Sequence, residues 1–383
     1  MNIIYLLLIL LMLVMECRIY NNLLTPSMLL YGVITFLLIL SKLLDVEFNL
    51  SNYILTLFKL NLMWFIISIM MRIVFYKYDD CLNIENKKLF NDKVVMTISV
   101  VIEILFFFEI LKQAQINGIG NLKGKIGGIA GHLYNLFFPY FSIVLIKKKF
   151  LNLLIFFIML CFLILCGGKY LIFLILLPYI LYTCEQENNV IFFLKKILLL
   201  LIIIIIVFGS VYFINFYLKH FEFTSNSFIN FLLQHIKYYL LSPIYIANYL
   251  LEHPENGNIE QTFAPFINIY RVITGNKNYI SSILPYFTYL DITSNVGGII
   301  GELVYNIGFT GMYIYMFFLG IFVYFFENLL KIDRIWLYCT IFIKSILILC
   351  FFINMFILLN CIEQLLGIIF LTLLSKEWSR IHL

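Results

Sequence analysis

Charged residues are scarce in this sequence of 383 residues. Asp, Glu, Lys and Arg together make up 12%, whereas hydrophobic residues make up 63% and the mean hydropathy is +1.00. A soluble globular domain carries about 25% charged residues, so the composition excludes that class. The scarcity of charge indicates an integral membrane protein, because a helix that crosses a bilayer needs about 20 mostly apolar residues in a row.

Paired cysteines are also missing. The eight cysteines include no Cys-x-x-Cys motif, and most of them lie in or beside apolar runs: Cys161, Cys166, Cys339, Cys350 and Cys361. A thiol in such surroundings behaves as a small hydrophobic group, and the histidine spacing matches no metal-binding pattern. We therefore expect neither a disulfide nor a metal site. The net charge of +5 is explained by membrane topology and anionic lipids, without nucleic acid.

The apolar runs predict an all-α, polytopic membrane domain that comprises the whole chain, residues 1–383. We count about eleven runs as spans, of which the first, fifth and seventh are short enough to be tilted at a thinned site or re-entrant. The runs cover residues 3–15, 27–41, 53–71, 94–111, 132–146, 150–166, 170–183, 197–214, 297–328, 335–353 and 355–374. The first run lacks the basic n-region and the small-residue cleavage site of a signal peptide, so we expect a retained span.

One long polar segment, residues 215–295, interrupts the apolar runs and predicts a large loop. Short basic loops stay in the cytoplasm, and lysines and arginines cluster in several short segments: Arg18, 72–93, 147–149, Lys195 and Lys196, Lys331 and Arg334, and Lys376 and Arg380. We therefore expect a cytoplasmic C-terminus and an extracytoplasmic loop. Within that loop, residues 227–251 alternate apolar and polar groups, which predicts an amphipathic helix on the outer leaflet and a loop that acts as a lid.

Cationic side chains at three places in the sequence are predicted to lie on the outer side. Lys123 and Lys125 stand in the glycine-rich stretch 117–132, which suits either a phosphate cradle or a flexible turn. Lys169 follows two glycines in a tight turn, where it would contact an anion or extend to the lipid headgroups. Arg271, in the long loop, would clamp a phosphate in bidentate fashion or be solvated.

The ionisable residues within the predicted apolar spans include Glu103, Glu109, Glu302, Lys344 and Glu363. A charge at membrane depth is costly and indicates either a functional group or an internal ion pair. Glu103 and Lys344 both fall in the middle of a span, so we expect them to pair. Glu109 and Glu302 fall nearer the outer end, where a carboxylate is placed to act on a sugar hydroxyl.

The segment 293–315 reads TSNVGGIIGELVYNIGFTGMYIY. It starts with Asn295 and a valine, continues with spaced glycines, breaks at an aromatic-Asn-Ile-Gly-Phe motif that begins at Tyr305, and enters a long apolar span. This pattern resembles the end of the large periplasmic loop in Wzy-type oligosaccharide repeat-unit polymerases. The Gly-Gly-Lys169 turn resembles that family's Gly-Ser/Gly-Arg/Lys turn, and His132 stands where such proteins begin an outer helix.

The resemblance implies a fold of about eleven or twelve helices and a lipid-linked substrate, with no cofactor, nucleotide sugar or metal ion. In that chemistry a glycan on undecaprenyl pyrophosphate is the donor, and a sugar hydroxyl of a new lipid-linked repeat unit attacks its anomeric carbon. The product is a surface polysaccharide, an O-antigen or a capsule, made on the outer face of the bacterial cytoplasmic membrane. A chain-length regulator and a flippase are the implied protein partners.

The resemblance also implies roles for individual residues. The developing charge on the pyrophosphate would be stabilised by Arg271, Lys169 and Lys125. The base that deprotonates the acceptor hydroxyl would be His132, His235 or Glu302. The remaining substrate contacts would come from Lys123, Asn295, Tyr305 and Glu109. The family often uses arginine where this chain has Lys169, and a lysine gives a point charge rather than a bidentate fork.

Other readings of the sequence stay open. The chain could be an O-antigen ligase, or a GT-C glycosyltransferase with Asp45 and Glu47 as the acidic residues of an early outer loop. From a different class, a flippase or transporter would move a lipid-linked glycan without changing it. The glycines between 297 and 311 could mark a broken helix in either class.

Overall fold

The computed structural model describes residues 2–43, 50–76, 92–118, 169–187, 240–255, 257–276, 278–281, 283–289, 292–333 and 336–381, with isolated residues between 132 and 213. The chain divides into two compact units. The first comprises residues 1–84, 236–336 and 346–362. The second comprises residues 85–235, 337–345 and 363–383.

The described residues are mostly helical, as the all-α prediction requires. The helices are α1 Asn2–Tyr20, α2 Val33–Leu43, α3 Ser51–Val74, α4 Asp92–Asn117, α5 Lys169–Glu187, α6 240–252, α7 Ile259–Thr262, α8 Ala264–Ile273, α9 Gly298–Ile332, α10 Leu337–Leu349 and α11 Leu359–Ile381. A π-helical turn, Met28–Gly32, precedes α2, and a 3-10 turn, Met355–Ile357, precedes α11. An antiparallel hairpin joins β1 Phe287–Tyr289 to β2 Ile292–Ser294.

Within the described residues, three helices are long and apolar enough to cross a membrane: Ile3–Tyr20, Ser51–Val74 and Gly298–Ile332. Shorter apolar helices cover Met28–Ser41, Ile172–Glu185, Leu337–Leu349 and Leu359–Phe370. These helices support a membrane-embedded, helical protein. The predicted spans 132–146, 150–166 and 197–214 lie largely outside the described residues, so the count of about eleven stays a prediction.

In the first unit, α1, α3 and α9 pack side by side and run in the same direction. The indole N–H of Trp64 donates to the Met316 carbonyl at 2.8 Å, and a Cβ on Gly320 would lie 3.0 Å from the Trp64 Nε1 and from the Ile67 Cδ1. Small residues allow close approach of helices in membranes. Gly320 therefore lets α9 contact the indole of α3 directly.

The C-terminal ends of these three helices meet around Tyr20. Its hydroxyl donates to the Ser68 carbonyl at 3.0 Å and accepts from the Asn328 amide at 3.3 Å. Each helix carries a basic residue in its last turn: Arg18, Arg72 and Lys331. The sequence predicted these three residues on one side of the membrane, and they lie at the same end of this unit.

A buried carboxylate fixes the turn that follows α1. Glu16 accepts from the Tyr324 hydroxyl at 2.8 Å and from the Ser27 N–H at 3.4 Å, and the Ser27 hydroxyl lies 2.6 Å from that of Tyr324. The predicted span 3–15 ended just before Glu16, so sequence reasoning missed it. Because these donors share one carboxylate, the start of the next helical segment is tied to α9.

The long loop is partly helical, with α6, α7 and α8 inside it. The prediction of a helix in 227–251 is confirmed for its described part, residues 240–251, but the prediction of an amphipathic surface helix is wrong there. Residues 241–248 are all buried, polar Asn248 included. Because a Cβ on Gly301 would lie 3.0 Å from the Ala247 Cα, α6 packs tightly against α9 instead of lying on a leaflet.

In the second unit, Lys344 is buried and forms an ion pair. Its Nζ lies 3.5 Å from the Glu185 Oε2 of α5. The side chain of Glu103 lies outside the described residues, so its predicted pairing with Lys344 stays a prediction. An internal carboxylate for Lys344 was nevertheless expected, because an unpaired ammonium at membrane depth is costly.

Candidate functional site

Helix α9 is broken at Gly308. This glycine has φ 71° and ψ 177°, which separates a half-helix, residues 298–307, from the segment 309–332. At about 1.5 Å per residue, the second segment is about 36 Å long, enough for a hydrocarbon core of roughly 30 Å. The break predicted at the aromatic-Asn-Ile-Gly-Phe motif is therefore confirmed, and the half-helix is not needed to span the membrane.

The start of the half-helix is bound to the chain that follows α10. The Gly298 N–H donates to the Phe352 carbonyl at 3.2 Å, and the Ile299 N–H donates to the Cys350 carbonyl at 2.9 Å. Gly298 has φ 59°, and a Cβ there would lie 2.5 Å from the Phe351 oxygen. Glycine is required for this contact, which satisfies two N–H groups that a helix start leaves without intrahelical partners.

The end of the half-helix is capped by the long loop. In an unbroken helix the Tyr305 carbonyl would accept from the N–H of Phe309, which here lies just beyond the break. The Gly257 N–H of the long loop donates to this carbonyl at 2.9 Å. The Tyr305 ring meets the ring of Phe287 from β1 edge-on, with centroids 5.3 Å apart. Tyr305, predicted to contact substrate, thus holds the loop and the hairpin in place.

Glu302 lies in the middle of the half-helix and is 0% exposed. Its Oε2 accepts from the Asn354 N–H at 3.0 Å, and the Asn354 Oδ1 accepts from the Phe356 N–H at 3.2 Å. Asn354 therefore connects the half-helix to the 3-10 turn Met355–Ile357. Complete burial keeps the predicted base Glu302 from contacting a large glycan in this conformation.

Arg271, at the end of α8, is held by its neighbours. Its Nη2 lies 3.7 Å from the Glu260 Oε2, and its Nη1 donates to the Asn278 carbonyl. Asn268 fixes the loop segment just after Asn278. Its side-chain N–H donates to the Ile280 carbonyl at 2.8 Å, and its Oδ1 accepts from the Ile280 N–H at 2.9 Å. The guanidinium is 24% exposed, so it is oriented by the loop yet reachable by an anion.

The N-terminal part of the loop has its own polar contact. The Tyr249 hydroxyl donates to the Glu255 Oε1 at 3.2 Å, and this hydrogen bond raises the pKa of Tyr249. Tyr249 also packs beside the rings of His253 and Phe287. Tyr249 therefore stays protonated and links the end of α6 to the hairpin.

In the second unit, His132 forms a carboxylate–imidazole pair. Its Nδ1 lies 2.6 Å from the Oε1 of Glu363, near the start of α11. The imidazole is 57% exposed, whereas Glu363 is 17% exposed. When a carboxylate accepts from Nδ1–H, Nε2 is left as a proton acceptor. This arrangement gives His132 the geometry of a general base.

The other predicted site residues are less informative. Glu109 accepts from the Gln113 amide at 3.0 Å along α4, and Asn295 lies half-buried in the bend between β2 and α9. Lys169 begins α5, but its side chain lies outside the described residues. Three further predicted site residues lie wholly outside the described residues: Lys123, Lys125 and His235.

Sequence reasoning missed several residues that shape this region. Asn354 is a polar residue between two apolar runs, and Asn306 belongs to the break motif itself. Gly257 stands in an Asn-Gly-Asn turn, and Asn258 caps α7, its side chain accepting from the Glu260 N–H. The break motif was the one signal that pointed to this region.

Replacing Gly257 with alanine should destabilise the loop. The new Cβ would lie 2.5 Å from the Tyr305 carbonyl oxygen, and such overpacking costs about 1–3 kcal/mol. Thermal unfolding in detergent and the rate of proteolytic cleavage in the loop would measure the effect. Gly209→Ala is the matched control, since nothing lies within 4 Å of a Cβ there. Equal unfolding temperatures for the two variants would contradict the proposed contact.

Comparison of the chain with protein-family models, with curated proteins and with solved structures finds no match in any of the three.

Proposed function

We propose that this chain is a membrane-embedded glycosyltransferase that joins lipid-linked oligosaccharide repeat units into a surface polysaccharide. The observation that supports this proposal is the form of α9. Residues 293–315 carry the resemblance to Wzy-type polymerases, and they fold as a short buried half-helix, a break at Gly308 and the start of a long span. That order is the one the motif implies.

The proposed reaction takes place on the outer face of the bacterial cytoplasmic membrane. The sugar hydroxyl of one undecaprenyl-pyrophosphate-linked unit attacks the anomeric carbon of the growing glycan. A new C–O bond forms, the bond between that carbon and the pyrophosphate breaks, and the pyrophosphate leaves with the electron pair. The hydroxyl proton passes to a base, and no metal ion or cofactor takes part in this scheme.

Arg271 is the proposed cation for the leaving pyrophosphate. A guanidinium can donate two parallel hydrogen bonds to a phosphate, whereas an ammonium acts as a point charge. The contacts to Glu260 and Asn278 orient the guanidinium before any substrate binds. Such orientation lowers the free energy that is spent on arranging charge during the reaction.

His132 is the proposed base. Of the three residues that the sequence left open, Glu302 is fully buried and His235 lies outside the described residues. His132 is exposed and has a carboxylate on Nδ1, which leaves Nε2 to take up a proton. Glu363 would act as a positioning residue that selects this tautomer.

The orientation of the chain is part of the proposal. Arg18, Arg72 and Lys331 lie at one end of α1, α3 and α9, which supports a cytoplasmic location for that end under the positive-inside rule. The C-terminus would then be cytoplasmic and the long loop would face outward. In that location a flippase would deliver the substrate and a chain-length regulator would act on the product.

Purified protein given synthetic undecaprenyl-pyrophosphate repeat units should form a ladder of longer glycans on a gel. Arg271→Ala should abolish the ladder, and Arg271→Lys should restore part of it, because charge returns without the bidentate fork. Lys148→Ala, in a loop predicted to be cytoplasmic, is the control and should leave the ladder intact. A full ladder from Arg271→Ala would refute the role of the guanidinium.

Glu363→Gln and His132→Gln test the proposed base. Loss of a general base lowers the rate about 10²- to 10⁴-fold, so His132→Gln should fall in that range and Glu363→Gln should be milder. The double variant should be no slower than His132→Gln, because Glu363 acts through the imidazole. In His132→Gln the pH–rate profile should lose its acidic limb, where protonation of a general base slows the reaction, whereas Glu363→Gln should keep this limb. Independent, multiplying losses would indicate that Glu363 has only a structural role.

A flippase or transporter is the second candidate, because discontinuous helices also mark substrate sites in transporters. A deletion strain separates the two classes. Single repeat units displayed on the cell surface indicate a lost polymerase, whereas lipid-linked units accumulating on the inner face indicate a lost flippase. Polymer that stays on the lipid carrier would instead indicate a lost ligase.

A further inference from the structure

Two buried oxygen atoms on the half-helix have no hydrogen-bond partner among the described residues. They are the Glu302 Oε1 and the Asn306 Oδ1. Glu302 is 0% exposed and Asn306 is 5% exposed. The two residues are four positions apart, so their side chains lie on one face of the helix, with Cβ atoms about 5–6 Å apart.

When Glu302 is ionised, neither of these atoms can satisfy the other, because both then only accept hydrogen bonds. The Glu302 carboxylate receives one donor from the protein, the Asn354 N–H. The ion pairs described for the chain involve other carboxylates: Glu185, Glu260 and Glu363. A buried carboxylate with so few partners is unstable unless it takes up a proton or a positive charge balances it.

The break in α9 adds oxygen atoms of a second kind. A helix leaves the carbonyl groups of its last turn without intrahelical partners, and the half-helix ends at Gly308. The Gly257 N–H takes the carbonyl of Tyr305. The end of a helix also carries a partial negative charge, and broken helices in membranes coordinate small cations through unwound carbonyls.

We propose that Glu302 and Asn306 hold a sodium ion on the buried face of the half-helix. Carboxylate, amide and carbonyl oxygens are ligands for hard cations, whereas soft metals prefer sulfur and nitrogen. One carboxylate balances one positive charge. The part of the chain that the structure describes has no group of three or more His, Cys, Asp and Glu side chains that would favour a multivalent ion.

The bound ion would fix the position of the half-helix. It would neutralise Glu302, whose other oxygen binds the backbone after α10 through Asn354. Sodium would therefore stabilise the contact between the half-helix and residues 350–358. Sodium binding at this site does not depend on which reaction the protein catalyses.

Thermal unfolding of the purified full-length protein in detergent tests the proposal. Unfolding temperatures are measured from 0 to 300 mM NaCl, with choline chloride added to keep the ionic strength constant. A ligand that binds only the folded state raises stability as its concentration increases. The wild type should therefore unfold several degrees higher in sodium than in choline.

Two variants assign the effect to the site. Glu302→Gln keeps an oxygen for the Asn354 N–H but removes the charge, so it should lose the sodium-dependent shift. Glu109→Gln, which changes a half-buried carboxylate of α4, should keep it. Equal unfolding temperatures for the wild type in sodium and choline, or a full shift in Glu302→Gln, would overturn the proposal.

If Glu302→Gln does not fold, direct binding of radioactive sodium to the wild type still tests the proposal. Saturable binding of about one ion per chain that potassium displaces poorly supports the site. Absence of saturable binding between pH 6 and pH 8 overturns it and leaves Glu302 as a protonated side chain. Loss of ladder formation, by contrast, would bear on the glycosyltransferase proposal alone.

Discussion

The backbone hydrogen bonds at the two ends of the half-helix organise this part of the first unit. Unpaired N–H and C=O groups are costly where water is excluded. The chain supplies acceptors from residues 350–352 at one end and a donor from Gly257 at the other. Both contacts require glycine, at Gly298 and Gly257, because a Cβ would meet a carbonyl oxygen at 2.5 Å. Segments distant in sequence are thereby tied to one short helix.

The polar side chains of the two units fall into buried and accessible groups. On the half-helix, Glu302 and Asn306 face inward, where they contribute to packing or bind an ion. The accessible candidates, Arg271 and His132, each have a carboxylate neighbour, Glu260 or Glu363 respectively. Such neighbours orient a cation or an imidazole, and they also mean that an incoming phosphate must compete for the guanidinium.

Apolar runs and glycine positions were sufficient to predict α1 to α5, α9, α10 and α11, and the break at Gly308. They were insufficient for α6, because an alternating pattern does not reveal whether polar groups such as Asn248 meet water or a buried partner. The contacts from Glu302 to Asn354 and from His132 to Glu363 join residues 52 and 231 positions apart. Such pairs depend on tertiary packing, which no local pattern encodes.

The docking of α9 on residues 350–352 has a consequence for biogenesis. The ribosome releases the half-helix about fifty residues before its acceptor carbonyls at Cys350 and Phe352. Chains grow at about 5–20 residues per second, so the half-helix waits seconds for its partner. During that interval its first N–H groups must be satisfied by water or by the membrane insertion machinery, and α9 completes its assembly only after α10 has been integrated.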